Sequence, residues 1–258
     1  MKILFLADVF GVPGRRAVEE RLSELRERYA ADLAIVNGEN AADGAGITPK
    51  LADKLLAAGA DVVTLGNHTY RRGGIAAYLA ESERVIRPAN SGLQAPGRGL
   101  AVVEARNGVR VAVVNLLGQL FLSTPVSPWE MVDALVEEAR AAAPVVVVDF
   151  HAEATSEKVA LAAWLDGRVT AVIGTHTHVQ TNDARVLPGG TAAVTDAGMT
   201  GPHDSVIGVR SELAIARMRT RLPVKFEPAQ GGVRLEGVLL TCADTGRAEA
   251  IEPVRVPA

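Results

Sequence analysis

A single cysteine, Cys242, occurs in the 258-residue chain, so no intramolecular disulfide can form. Its place in Gly237-Val238-Leu239-Leu240-Thr241-Cys242 reads as a packed strand thiol, which suits a reducing, cytoplasmic setting. Aromatic residues make up only 4% of the sequence. Both tryptophans, Trp129 and Trp164, fall within helical patterns, which points to core or interface packing and away from a base-stacking platform. Charge of one sign is lacking too: 27 Lys and Arg face 30 Asp and Glu, and the basic residues are scattered. That balance leaves no electrostatic footprint for duplex nucleic acid or an anionic membrane, while small anionic substrates remain open. Long apolar runs are missing as well. Met1–Ala7 is interrupted by Asp8 and reads as a first strand, and Val145–Val148 is closed by Pro144 and Asp149, far short of a bilayer span. With no repeat and no low-complexity tract, one domain over 1–258 is expected.

What is present is a regular alternation of apolar runs and amphipathic stretches. A strand ending at Asp8 is followed by a turn at Gly11-Val12-Pro13-Gly14 and by Val18, Leu22, Leu25 and Tyr29 at helical spacing. Leu33–Val36 forms a second strand that ends in Asn37-Gly38-Glu39-Asn40, and Thr48 and Pro49 supply an N-cap and an N1 proline for a helix to Ala58. Asp61–Leu65 is a third strand, ending in Gly66-Asn67-His68 and followed by a short helix over Ile75–Leu79. The period then changes to a hairpin, Ala101–Ala105 and Val109–Asn115 about an Asn107-Gly108 turn. Alternation resumes with a helix over Trp129–Ala142, the strand Val145–Phe150 before His151, a helix over Ser156–Leu165, and the strand Thr170–Ile173. After His178 come Val186-Leu187, a Pro188-Gly189-Gly190 turn, Thr191–Thr195, a helix over Ser211–Met218, and late strands around Lys225, Val233 and Ala250. Parallel units mixed with hairpins in one domain predict an α/β fold in which two mixed β-sheets pack face to face with helices outside.

Four of the five histidines, His68, His151, His176 and His178, stand within a few residues of the Gly, Asp or Asn that closes an apolar run. Ligand sites in α/β sheets lie beyond the carboxyl ends of the strands, and Asp8, Glu39, Asn67, His151 and His176 all stand at such ends. Taken singly, Asp8 or Asn67 is an ordinary turn former and His151 an ordinary structural histidine. Together at one edge they point to a metal centre. Carboxylate and amide oxygens with imidazoles suit Mn, Fe or Zn, and no thiolate is offered. His203, between turn formers, is expected to be a solvated loop side chain and Asp43 a loop hydrogen-bond acceptor, while Arg15 and Arg16 near a helix start fit a phosphate contact and a solvated helix face equally well.

The order Asp8, Gly38-Glu39-Asn40-Ala41-Ala42-Asp43, Gly66-Asn67-His68, His151 and Gly174-Thr175-His176-Thr177-His178 resembles the calcineurin-like metallophosphoesterases. Three departures, Phe10 for the histidine of the first motif, Glu39 for the bridging aspartate, and Thr69 after His68, resemble one bacterial subgroup, the YmdB-type 2′,3′-cyclic-nucleotide phosphodiesterases. So do Asp149-Phe150-His151-Ala152-Glu153-Ala154-Thr155-Ser156-Glu157-Lys158 and Gly198-Met199-Thr200-Gly201-Pro202. The resemblance covers nearly the whole chain. It implies the four-layer α/β/β/α sandwich and two transition-metal ions, Fe or Mn before Zn. Asp8, Asn40 and His178 would hold one ion, Asn67, His151 and His176 the other, and Glu39 would bridge them. Asn40 would stand in for the histidine missing at Phe10. Such a pair, roughly 4 Å apart, would supply a hydroxide for in-line attack on phosphorus. His68 would be the catalytic residue beside the phosphate, the substrate a small cyclic nucleotide, and the assembly a homo-oligomer.

Three other readings stay open on the residues alone. A phosphomonoesterase would use the same spacing, and a non-catalytic regulator could use the metals to organise a nucleotide-binding surface. A TIM-barrel amidohydrolase also uses a His-x-His pair, but on its first strand, and the two hairpins argue against eight parallel units.

Overall fold

The computed structural model describes residues 1–258. The expected alternation is realised as two sheets. In the first, β1 (Lys2–Leu6), β2 (Leu33–Asn37), β3 (Val62–Thr64) and β4 (Val85–Ile86) run parallel. The second contains β5 (Leu100–Glu104), β6 (Arg110–Leu117), β7 (Val145–His151), β8 (Ala171–Thr175), β9 (Arg185–Val186) and β10 (Ala192–Val194), in the order β5-β6-β7-β8-β10-β9. The chain then returns to the first sheet through β11 (Gly201–Pro202), β12 (Val233–Cys242) and β13 (Ala248–Pro257), with β12 antiparallel to β1. The helices are α1 (Gly11–Tyr29), α2 (Pro49–Ala57), α3 (Ile75–Glu81), α4 (Pro128–Ala142), α5 (Thr155–Trp164) and α6 (Ser211–Thr220).

Strand periodicity decides which residue joins which layer. In β1, Leu4 and Leu6 pack toward α1 with Val18, Leu22 and Leu25, while Ile3, Phe5 and the following Ala7 face the second sheet. In β7, Val145 and Val147 meet that inter-sheet core, and Val146, Val148 and Phe150 face α4 and α5. Three apolar layers therefore separate helices, sheet, sheet and helices, which is the four-layer α/β/β/α sandwich. No helix is long and apolar enough to cross a membrane.

Several local expectations need correction. Gly11–Gly14 is not a turn but the first turn of α1, where Pro13 is tolerated because the N–H it lacks would have no helical partner. Thr48 occupies the N-cap of α2 in extended conformation, yet its side chain makes no capping hydrogen bond. No strand forms around Lys225, since Pro223 and Pro228 bracket the segment and cannot donate to a ladder. Trp164 does not pack in a core: it is 53% exposed and donates its indole N–H to Asp133 at 3.0 Å. Cys242 is buried as expected, and burial pushes its thiol up to about 11.

The close approach of α1 to the Thr200 loop depends on Gly14, where an added Cβ would meet the Thr200 carbonyl oxygen at 2.1 Å. Gly14→Ala is expected to destabilise the fold by about 1–3 kcal/mol, the usual cost of overpacking. Urea denaturation would show this as a lower midpoint with an unchanged slope.

Candidate metal centre

All eight residues singled out in the sequence meet at one edge of the sandwich. Asp8 follows β1, Glu39 and Asn40 follow β2, Asn67 and His68 follow β3, His151 ends β7, and His176 and His178 follow β8. Because β1, β2 and β3 are parallel within one sheet, and β6, β7 and β8 within the other, their carboxyl ends open together. His178 Nε2 lies 3.1 Å from Asp8 Oδ2 and 3.1 Å from Asn40 Nδ2. His151 Nε2 lies 3.1 Å from each of Glu39 Oε1, Asn67 Oδ1 and His176 Nδ1. Glu39 sits between the two groups, since its Oε1 also accepts from Asn40 Nδ2 at 3.0 Å. Glu39, His151 and His176 can hold a metal ion, their ligand atoms all lying within 4.8 Å of one another. Gly66 keeps this space open, because a Cβ there would stand 2.2 Å from Glu39 Oε2 and 2.4 Å from His151 Nε2.

Beneath these residues lies a supporting layer that the sequence did not disclose. Asp149 is fully buried between the sheets and accepts from Asn37 Nδ2 at 2.9 Å, Thr64 Oγ1 at 2.5 Å and Thr175 Oγ1 at 2.7 Å. Burial raises its carboxyl to about 6, so it is ionised at neutral pH and acts only as an acceptor. Thr175 has one hydroxyl proton and gives it to Asp149. Its oxygen must therefore accept from His151 Nδ1, 2.9 Å away, which turns His151 Nε2 toward Glu39 and Asn67 and leaves it as the nitrogen that could hold an ion once its own proton is displaced. His178 is set in the same way, with Nδ1 3.0 Å from the Ile207 carbonyl and Nε2 free to face Asp8.

The loop carrying His176 and His178 is strained. Both have positive φ, 98° and 63°, a region that costs a non-glycine residue about 1–3 kcal/mol. Thr177, between them, is held from behind: Asp196 Oδ2 accepts from its backbone N at 3.0 Å and from its Oγ1 at 2.5 Å. Lys158 Nζ pairs with the same carboxylate oxygen at 3.1 Å, with both side chains almost fully buried. On the open side, His176 Nε2 lies 3.0 Å from Glu153. Glu153, Lys158 and Asp196 were missed as site residues; the run Asp149–Lys158 was noticed, but one strand and one helix do not reveal which of its side chains turn inward.

The electrostatics favour a cation. Asp8 and Glu39 are both fully buried, and Asp8 Oδ1 has no hydrogen-bond partner, a costly arrangement unless a positive charge is close. Burial opposes ionisation of Glu39, yet His151 and His68 beside it hold its carboxyl well below the usual range. Burial also works against a charged His151, but Glu39, Asp8 and Asp149 outweigh it and raise the imidazole to about 9. Burial and the neighbouring His151 charge push His176 down to about 4. His151 thus carries a proton and faces a neutral His176 at the place a metal ion would take, and a bound ion would displace that proton.

A cavity of about 820 Å³ opens above these residues, lined by Glu39, Asn40, His68, His176 and His178 among others. His68 points Nδ1 at Asn40 Oδ1, 2.8 Å away, and its side chain is 22% exposed. Asp43 stands apart from the cluster, 3.8 Å from Arg72. Arg15 is only partly solvated, its Nη1 donating to the Ala41 carbonyl, whereas Arg16 is exposed. His203 is likewise half-buried, with Nε2 3.1 Å from the Met199 carbonyl oxygen, since the turn around it folds back onto β12.

A four-layer sandwich with histidines, amides and carboxylates gathered at one strand edge is the architecture of the metallophosphoesterases. Within that class, residues 4–254 match the family described as YmdB-like protein, and the chain belongs to this family. It is 46% identical over 257 residues to a 2′,3′-cyclic-nucleotide 2′-phosphodiesterase of Bacillus subtilis (strain 168), covering 99% of this chain and 97% of that one. A crystal structure of a hypothetical protein from Thermus thermophilus superposes with a TM-score of 0.93 at 44% identity, covering 100% of this chain and 99% of that one. A structure of a novel phosphatase from Mycoplasma pneumoniae gives 0.91 at 35% identity, with 100% and 93% covered.

The Thr177 anchor is testable through metal content. Thr177→Val removes the hydroxyl bonded to Asp196 while keeping side-chain volume, and metal affinity is expected to fall on the order of 10–100-fold. Thr177→Ser should restore it. Titration with Mn, followed by calorimetry, would measure both.

Proposed function

We propose that the chain is a dinuclear metal-dependent phosphodiesterase acting on small 2′,3′-cyclic nucleotides. The observation that carries this reading is the convergence of two groups, Asp8–Asn40–His178 and Asn67–His151–His176, on the single carboxylate of Glu39. The Bacillus subtilis relative's name supplies the substrate class. Two ions held there would polarise the phosphoryl oxygens and make an attacking hydroxide available near neutral pH.

The remaining chemistry falls to the chain's own residues. Asn40 turns its amide nitrogen toward Glu39 and His178 and its oxygen toward His68. Holding an ion would require the oxygen on the His178 side, so the amide must turn over. That half-turn hands Nδ2 to His68 Nδ1, which must then accept, and moves the imidazole proton to Nε2. His68 lines the cavity and so becomes a donor toward substrate. As the hydroxide oxygen bonds to phosphorus and the P–O2′ bond breaks, His68 Nε2–H hydrogen-bonds the leaving ribose oxygen, which takes up the proton released by the attacking water, and the 3′-phosphate remains.

Glu39→Ala should abolish turnover of 2′,3′-cyclic AMP and lower metal content at both positions, because it removes the charge between them. Elemental analysis of the purified variant checks this, and full occupancy would show that another group bridges. His68→Ala should retain the metals yet lose on the order of a hundred- to ten-thousand-fold in rate on 2′,3′-cyclic AMP. The loss should shrink for bis-p-nitrophenyl phosphate, whose leaving group hardly needs a proton. Parallel assay of p-nitrophenyl phosphate separates diester from monoester preference.

A further inference from the structure

The cavity above the metal centre has two unlike walls. Polar groups of Glu39, Asn40, His68, His176 and His178 form one, and Phe10, Ile207, Val209, Phe226 and Pro228 supply an apolar one. At about 820 Å³ the space far exceeds what a phosphate group fills and lies in the range of clefts that enclose whole small molecules. A cyclic phosphate on the polar side therefore leaves room for the rest of its molecule against the apolar side.

Of the two aromatic rings in that wall, only one offers a face. Phe10 is 5% exposed and caged by Gly44 and Gly208, where added Cβ atoms would come within 2.6 Å of its ring. Its ring also meets His178 edge to face, at 5.6 Å between centroids. Phe226 is 44% exposed, with the Arg217 guanidinium carbon over its ring, 5.5 Å from the centroid. The segment that bears Phe226 lacks regular structure but is pinned at the next residues. Arg210 N donates to the Glu227 carbonyl at 3.0 Å, Arg210 Nη1 pairs with the Glu227 carboxylate at 2.8 Å, and Ala229 N donates to the Gly208 carbonyl at 2.9 Å. The ring is thus held at a set place in the cavity's lining, with the Arg217 guanidinium over one of its faces.

We propose that Phe226 is the platform on which the base of the nucleotide stacks while its phosphate occupies the metal centre. The proposal rests on the cyclic-nucleotide reading and adds a specificity residue to it. Every nucleobase presents a π-face to such a ring, and Arg217 on the opposite side would complete a three-layer stack. The platform therefore favours nucleotides over base-free diesters without selecting strongly among the bases.

The test compares 2′,3′-cyclic AMP with glycerol 1,2-cyclic phosphate, which keeps the five-membered cyclic diester and has no base. Phe226→Ala is expected to lower kcat/KM for 2′,3′-cyclic AMP roughly 5- to 150-fold, as expected for the loss of one stacked base, with most of the change in KM. Glycerol 1,2-cyclic phosphate should be turned over as by the unaltered enzyme, and Phe226→Trp should restore the nucleotide rate. Equal losses on both substrates, or no loss on either, would overturn the platform. Calorimetric binding of 3′-AMP to the metal-loaded protein decides the matter independently of turnover. Weaker binding by Phe226→Ala supports the platform even if neither diester is hydrolysed, in which case the phosphodiesterase reading alone fails, and equal binding overturns it.

Discussion

The arrangement of the whole edge depends on one buried carboxylate. The layer between the sheets is apolar along most of its length, with Phe5, Ile35, Val113, Val147 and Ile173 in contact across it. Apolar packing sets the spacing of two sheets but leaves their slide and rotation weakly specified, because it has no direction. Asp149 supplies direction. Standing on β7, it takes hydrogen bonds from Asn37 of β2 and Thr64 of β3 in the opposite sheet, and from Thr175 of β8 in its own. The same carboxylate that registers one sheet against the other also sets, through Thr175, the tautomer of His151. Sheet alignment and the orientation of His151 are therefore one constraint.

A division of labour runs along Asp149–Lys158. Asp149 joins the sheets, His151 faces Glu39, and Glu153 meets His176. Glu157 accepts from the backbone N–H groups of Gln119 and Leu120, closing the loop after β6. Lys158 reaches Asp196 behind Thr177. A buried Lys–Asp pair contributes little net stability because both ions must be desolvated. Its value here is conformational: it backs a tripeptide whose two histidines occupy backbone states they would otherwise avoid.

Much of the architecture was legible because it rests on periodicity and punctuation. Apolar runs ending in Asn37-Gly38-Glu39, Gly66-Asn67-His68 and Gly174-Thr175-His176 mark strand ends directly, and parallel strands put such ends on one edge. What escaped was set by tertiary contact. Two-residue strands such as β4 and β11 are too short to show a period. Asp149 falls inside its strand as expected, yet nothing local tells that its carboxylate meets Asn37, Thr64 and Thr175 between the sheets. The run around Lys225 has strand composition but lacks donors at its prolines. Phe226 gave no signal either, because a single aromatic residue in an irregular segment becomes a feature only when folding sets it beside the histidines.

The sandwich is also polar as an object. Every residue of the centre lies at the carboxyl ends of the parallel strands, and the opposite rim is made of connections such as the turn at Asn107-Gly108, which joins β5 to the start of β6. Gly108 has positive φ, and an added Cβ there would meet nothing within 4 Å. A label, a surface tether or an inserted domain placed at this tip would stand on the far side of the core from the cavity. The protein can thus be immobilised in one orientation, with its histidine cluster facing the solution.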